Sequence, residues 1–257
     1  TALAIATPPP EITTSQWADQ NRVLTSENSP EPGPWETDRV PYLREMMDVL
    51  DDTSIYKVVC MMGVQLGKTE LLLNRIGRSI HLDPGPMLFA FPDDESLREF
   101  SKDRVLPMIE ACKPLRERII EKKKNISKES TIKSKRFNGG YFAMVSARTA
   151  KSFMSRAIRE LFMDEVDRYT ASSGVEGDPI ALAEKRTTNF PYNRKIVITS
   201  SPGNEGESHI APAYENSDQR KWYCPCPHCD HAFVIMWEHV QWDSSKGPDG
   251  QTIHKPE

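Results

Sequence analysis

Tyr56-Lys57-Val58-Val59-Cys60-Met61-Met62 runs without a break into Gly63-Val64-Gln65-Leu66-Gly67-Lys68-Thr69, and then into Glu70 to His81. The first stretch is a short β-branched apolar run of the kind that forms a buried strand. The last is helix-friendly and stops at Asp83-Pro84-Gly85-Pro86. A strand, a glycine-bearing turn ending Gly-Lys-Thr and a helix together cradle phosphates. Backbone N–H groups and the helix N-terminus favour the anion, a lysine supplies a point charge, and the threonine hydroxyl can ligate Mg²⁺. Gln65, Gly67, Lys68 and Thr69 are therefore the candidate phosphate-loop residues. The usual spacing places glycine five residues before Gly67; here Met62 stands there and Gly63 comes one step late. A Gly-Lys-Thr turn can also simply open an ordinary helix, so the loop needs a second half.

That half is Leu161-Phe162-Met163-Asp164-Glu165, an apolar run ending in two acids 96 residues beyond Lys68. In such a site the first acid, Asp164, holds Mg²⁺ and the second, Glu165, polarises the attacking water. Glu160 sits where an apolar residue would be commoner. Further short apolar runs, Met87 to Phe91 and Ile196 to Thr199, alternate with helical stretches. Asn138-Gly139-Gly140 marks a hairpin between Thr131–Phe137 and Tyr141–Val145. The alternation predicts an α/β fold with a mostly parallel central sheet flanked by helices.

Composition sets the outer bounds. The chain has 257 residues, 38% hydrophobic and 27% charged, with a net charge of −4. That suits a globular chain with a sizeable core, and no apolar run approaches the roughly 18 residues of a membrane span. Thr1 to Pro10 has no basic segment leading into an apolar core, so no secretory signal is expected. The five cysteines are an odd number, and Cys224, Cys226 and Cys229 crowd together, which points to a reducing compartment rather than a disulfide framework. Cys226-Pro227-His228-Cys229 has the spacing of half a zinc knuckle, but two ligands do not close a site and no ordered zinc is expected here. Lys113 to Arg136 carries ten Lys/Arg against three Glu, a local +7. Such runs are usually solvated faces, and Lys122, Lys123 and Lys124 stand at the centre of this one.

Residues 1–34 are rich in Pro, Ser, Thr and Glu and read as an extended arm that can carry a short helix around Ser15 to Leu24. Residues 35–220 are expected to form the nucleotide-binding domain, and 221–257 the start of a linker with the half knuckle.

The sequence resembles a known family. Trp17-Ala18-Asp19, Pro32-Gly33-Pro34-Trp35, Pro41-Tyr42-Leu43-Arg44-Glu45 and Gln65 to Glu70 look like the lambda-type phage terminase large subunit. So do Asp164-Glu165-Val166-Asp167-Arg168-Tyr169, Glu184-Lys185-Arg186-Thr187, Ser200-Ser201-Pro202 and the Ser217 to Cys229 stretch. The resemblance implies the ATPase motor of DNA packaging, a P-loop NTPase of the additional-strand, helicase-like class followed in the family by an RNase H-like nuclease. A chain of this length is expected to hold the ATPase and not the nuclease. The implied partners are double-stranded DNA, a portal protein, a small terminase subunit and further copies of the chain in a ring. The implied place is the host cytoplasm, and no membrane is involved. In a DNA motor the basic run suits sequence-independent phosphate contact, with Lys122, Lys123 and Lys124 as the candidates. Carried over residue by residue, Thr199, Ser200 and Ser201 match the family's coupling motif. Tyr42 and Arg44 fall where adenine rests. Val64 replaces an arginine that many members carry in the loop. Arg148, Arg156 and Arg159 lie where some members place an arginine that acts on the neighbour's nucleotide, and Arg156 is the favoured one. The alternatives are a helicase-like DNA-remodelling ATPase and a non-enzymatic nucleotide-binding assembly module.

Overall fold

The structure, a computed structural model, describes residues 11–119, 132–148, 153, 156–170, 177–204, 206–246 and 252–256. They divide into one unit through Ser217 and a smaller unit from Asp218.

The first unit is built on six strands: β3 (Lys57–Met61), β4 (Pro86–Phe91), β5 (Ser134–Phe137), β6 (Gly140–Ser146), β7 (Glu160–Asp164) and β8 (Lys195–Ser200). Their order across the sheet is β3-β8-β7-β4-β6-β5. All neighbours are parallel except the β5–β6 hairpin at the edge, whose tight turn requires reversal. A parallel sheet must be covered on both faces, and the period-two alternation of its side chains shows how. Met87, Phe89 and Phe91 of β4, Phe162 of β7 and Val197 of β8 enter one core. Leu88 and Ala90, Leu161 and Met163, and Ile196 and Ile198 enter the other.

The first face is covered by α1 (Thr14–Asn21), α2 (Tyr42–Asp48), α3 (Lys68–Leu82) and a long helical segment. That segment comprises α4 (Asp94–Phe100), a π turn (Ser101–Val105) and α5 (Leu106–Ala111), followed by α6 (Lys113–Arg118). The second face is covered by α7 (Pro179–Glu184), α8 (Ile210–Glu215) and side chains such as Phe153 and Val166.

The short helix allowed within the arm is present as α1, and its Trp17 and Ala18 belong to this core. A capping box between Thr13 and Gln16 starts α1. Trp17 is fully buried and packs so close to α3 that a Cβ on Gly77 would lie 2.3 Å from its ring. The small pairing β1 (Val23–Leu24) with β2 (Gly33–Pro34) follows.

Glu160, the unexpected acid of β7, is buried in an ion cluster. It accepts from Arg75 Nε at 3.0 Å, Ser79 Oγ at 3.0 Å and Arg159 Nη2 at 3.1 Å. Burial acts to raise its pKa, but the two guanidinium groups outweigh burial and hold the carboxyl below the usual range.

The second unit contains a hairpin of β9 (Cys224–Pro225) and β10 (Ala232–Phe233), and a pair of β11 (Trp242–Lys246) and β12 (Thr252–Pro256). No helix among the described residues is long and apolar enough to cross a membrane.

Candidate active site

The loop between β3 and α3 runs through two left-handed residues, Gln65 (φ +59°) and Gly67 (φ +80°). Gly67 also has to be small, because a Cβ there would lie 2.9 Å from Leu43 of α2. Directly after it, Lys68 opens α3. Its buried amine donates to Gly63 O at 2.7 Å, Ser201 Oγ at 2.8 Å and Met62 O at 3.2 Å. The lysine therefore sits between the loop and the end of β8.

The acid pair ends β7, and β8 lies between that strand and β3. Asp164 is 7% exposed. Its Oδ2 accepts from Thr69 Oγ1 at 3.2 Å, and its Oδ1 accepts from Thr199 Oγ1 at 2.6 Å and from the Glu165 N–H at 2.9 Å. Burial raises the Asp164 pKa and the nearby Glu165 charge adds to this, with the Thr199, Glu165 and Thr69 bonds acting the other way. A desolvated carboxylate against two hydroxyls, with no cationic side chain bonded to it among the described residues, fits a divalent cation.

Glu165 is left-handed (φ +52°, ψ +46°). Such a conformation in a non-glycine residue costs about 1–3 kcal/mol and is held only where its surroundings fix it. Its carboxylate meets Arg168 Nη1 at 2.6 Å. Thr69, Asp164, Glu165 and Arg168 line a cleft of about 410 Å³ together with residues that include Asn28, Phe100 and Arg104.

Just beyond the acids, Asp167 binds the segment after β8. Its carboxylate accepts from the N–H groups of Gly203 at 2.6 Å and Ile210 at 2.7 Å, and its own N–H donates to Ser200 Oγ at 3.3 Å. Burial acts to raise its pKa, yet the bonds from Ser208, Gly203 and Ile210 bring it below the usual carboxylate range.

The structure thus brings Lys68, Thr69, Asp164, Thr199 and Ser201 into one bonded cluster, with Gln65 and Gly67 in the loop and Glu165 on the cleft. Ser200 is buried and tied to Asp167. Tyr42 packs partly buried at the start of α2, and half-buried Arg44 pairs with Asp38 at 2.5 Å. Arg156 is exposed and precedes β7. The strands of a parallel sheet share one direction, so it lies at the opposite end from Asp164 and cannot serve its own chain's loop. Arg148 follows β6 at the loop's end of the sheet, exposed and 3.9 Å from Asp93. Arg159 is a correction: it is 7% exposed and committed to Asp83 and Glu160, so it is not available to a neighbour. Lys122, Lys123 and Lys124 lie outside the described residues. In the half knuckle, Cys226 N–H donates to His231 O and Asp230 N–H to Cys226 O, each at 2.9 Å. N–H groups of His228 and Cys229 directed at the Cys226 sulfur lower its pKa. Among the described residues, no three His, Cys, Asp or Glu side chains are grouped to hold a metal ion.

Sequence reading missed Asp167, Arg168 and the Ser201–Lys68 bond. The first two stood inside the quoted Asp164 to Tyr169 motif, but nothing in that motif reveals their partners.

A phosphate loop on one strand, an acid pair on another and a single strand between them define a P-loop NTPase of the additional-strand class. The family model for the ATPase domain of phage terminase large subunit gpA matches residues 29–256, and the chain belongs to that family. It is similar to the terminase large subunit of Enterobacteria phage P21, 28% identical over 224 residues, covering 86% of this chain and 34% of that protein. Its fold is similar to that of the HK97 bacteriophage large terminase in its crystal structure. That match has a TM-score of 0.57 and 12% identity over 74% of this chain and 38% of the other. The chain spans about a third of the length of the curated relative it matches.

Proposed function

We propose that this chain hydrolyses ATP to drive double-stranded DNA into a viral procapsid. The observation that carries the reading is the Thr69–Asp164–Thr199 junction, which joins the phosphate loop, the acid strand and the strand between them. Gln65, Gly67, Lys68 and Thr69 would hold the phosphates, with Tyr42 and Arg44 near the base. Thr69 and Asp164 would hold Mg²⁺, which when bound neutralises charge on the phosphate oxygens. Glu165 orients and polarises the water that attacks the terminal phosphorus, and Lys68 steadies the charge that develops there. Thr199, Ser200 and Ser201 pass the state of the site to the segment beyond β8. Arg156 would act on the neighbouring subunit's nucleotide in a ring, and Lys122, Lys123 and Lys124 would touch DNA phosphates. Portal protein and small terminase subunit are the proposed protein partners, host cytoplasm the proposed place, and zinc is not assigned to this chain. Family membership favours this reading over a helicase-like remodeller or a non-enzymatic assembly module.

The test is ATP turnover and nucleotide binding of two variants. Lys68→Ala should lose productive ATP binding, because among the described residues no other amine is bonded into the loop. Glu165→Gln should bind ATP normally and lose at least about a hundredfold in kcat. Near-normal hydrolysis by both would refute the site.

A further inference from the structure

We infer that Arg168 is a positioning residue for this hydrolysis, holding the Glu165 carboxylate by one oxygen and so fixing where it meets the attacking water. The inference rests on the proposed ATPase reading and adds a residue to it.

The geometry begins in the backbone. A 3₁₀ turn, Val166–Arg168, starts directly after the acid pair, with Glu165 left-handed at its mouth. The Arg168 N–H donates to Glu165 O at 2.9 Å, which closes the turn and stacks the two side chains three residues apart. Arg168 Nη1 then reaches Glu165 Oε2 at 2.6 Å. Among the described residues it is the one side-chain partner of that carboxylate. Both groups line the cleft beside Thr69 and Asp164.

Arg168 is the cleft's one guanidinium bonded to the catalytic carboxylate among the described residues. Val64 carries no charge in the loop. Arg104 is committed elsewhere: it donates to Asn28 O at 3.0 Å and stands 3.8 Å from Glu70.

Side-chain exposures of 71% for Arg168 and 47% for Glu165 decide what the pair can do. An ion pair this open adds little to stability, so its value as a structural brace is small. Orientation is another matter. A general base must present a lone pair within hydrogen-bond reach of the water, and misplacement by about 1 Å costs of the order of a hundredfold in rate. With Oε2 held by the guanidinium, Oε1 is the oxygen left for water, and the carboxylate keeps one direction.

The experiment compares Arg168→Ala, Arg168→Gln and Arg168→Lys with wild type, with Lys68→Ala and Glu165→Gln run alongside. Arg168→Ala and Arg168→Gln should lower kcat about ten- to hundredfold while KM for ATP and the thermal midpoint stay near wild type. Arg168→Lys should regain part of the loss, because an ammonium can still hold one oxygen. A kcat within twofold of wild type, a raised kcat, a rise confined to KM, or no recovery in the lysine variant would each overturn the inference. If Lys68→Ala and Glu165→Gln also turn over normally, the ATPase reading has failed; if they stop while Arg168→Ala does not slow, only the role of Arg168 has failed.

Discussion

Lys195 is the residue whose surroundings speak most directly to pH. It starts β8, its amine donating to the carbonyls of Asp52 (2.7 Å) and Ile55. Burial, reinforced by the Arg75 charge, lowers its pKa from 10.5 to about 8. The sign follows from proton uptake. As pH falls from 10.5 to 8 the unfolded chain binds a proton that the folded chain refuses, so folding loses stability on the way down and regains it on the way up. Against a Lys195→Met variant, wild-type stability should therefore gain as pH rises from 8 toward 10.5. Urea titrations of both proteins at the two ends of that window check it; a constant difference would reject the assignment. At this scale the sequence revealed what was local: Gly67-Lys68-Thr69 and Asp164-Glu165 stand side by side and carry their chemistry in their spacing. Ser201 reaches Lys68 across 133 positions and Arg75 reaches Glu160 across 85. Neither pairing leaves a periodic trace, so Glu160 read only as an anomaly.

Elements were legible where one apolar run made one strand, as at β3, β4 and β8, and the Asn138-Gly139 turn placed the hairpin. Their lateral order was not, because a strand's neighbours depend on crossovers that hydrophobic period does not encode. The same limit hid Asp167, whose carboxylate joins the turn after β7 to the entry of α8. Asp167→Ala removes two short charge-assisted bonds, each worth about 1.5–3 kcal/mol. The amides of Gly203 and Ile210 should then exchange with solvent at least about tenfold faster, while β7 and β8 amides keep their wild-type rates. Hydrogen exchange resolved by residue is the measurement, and unchanged rates at Gly203 and Ile210 would show the bracket to be idle.

At the scale of the whole molecule, Arg156 at the far end of the sheet and Glu165 at the near end can meet only between copies. If Arg156 works on a neighbour, an Arg156→Ala protein and a Glu165→Gln protein, each inactive alone, should regain part of their ATPase activity when mixed under assembling conditions. Pairs in the mixed ring then combine one intact arginine with one intact carboxylate. No recovery on mixing, or an Arg156→Ala protein as active as wild type, would remove Arg156 from the mechanism and turn the search to Arg148, which stands at the loop's end of the sheet.

The bonds of Lys68 have an arithmetic of their own. An ammonium has three protons, and here all three are spoken for, by Met62 O, Gly63 O and Ser201 Oγ. A phosphate arriving at that amine is a fourth claimant. The two carbonyls are fixed by the path of the loop, whereas the serine hydroxyl can rotate away. The serine is therefore the partner most free to yield if phosphate claims the amine. In the proposed coupling, the end of β8 would register an occupied loop through a bond it loses.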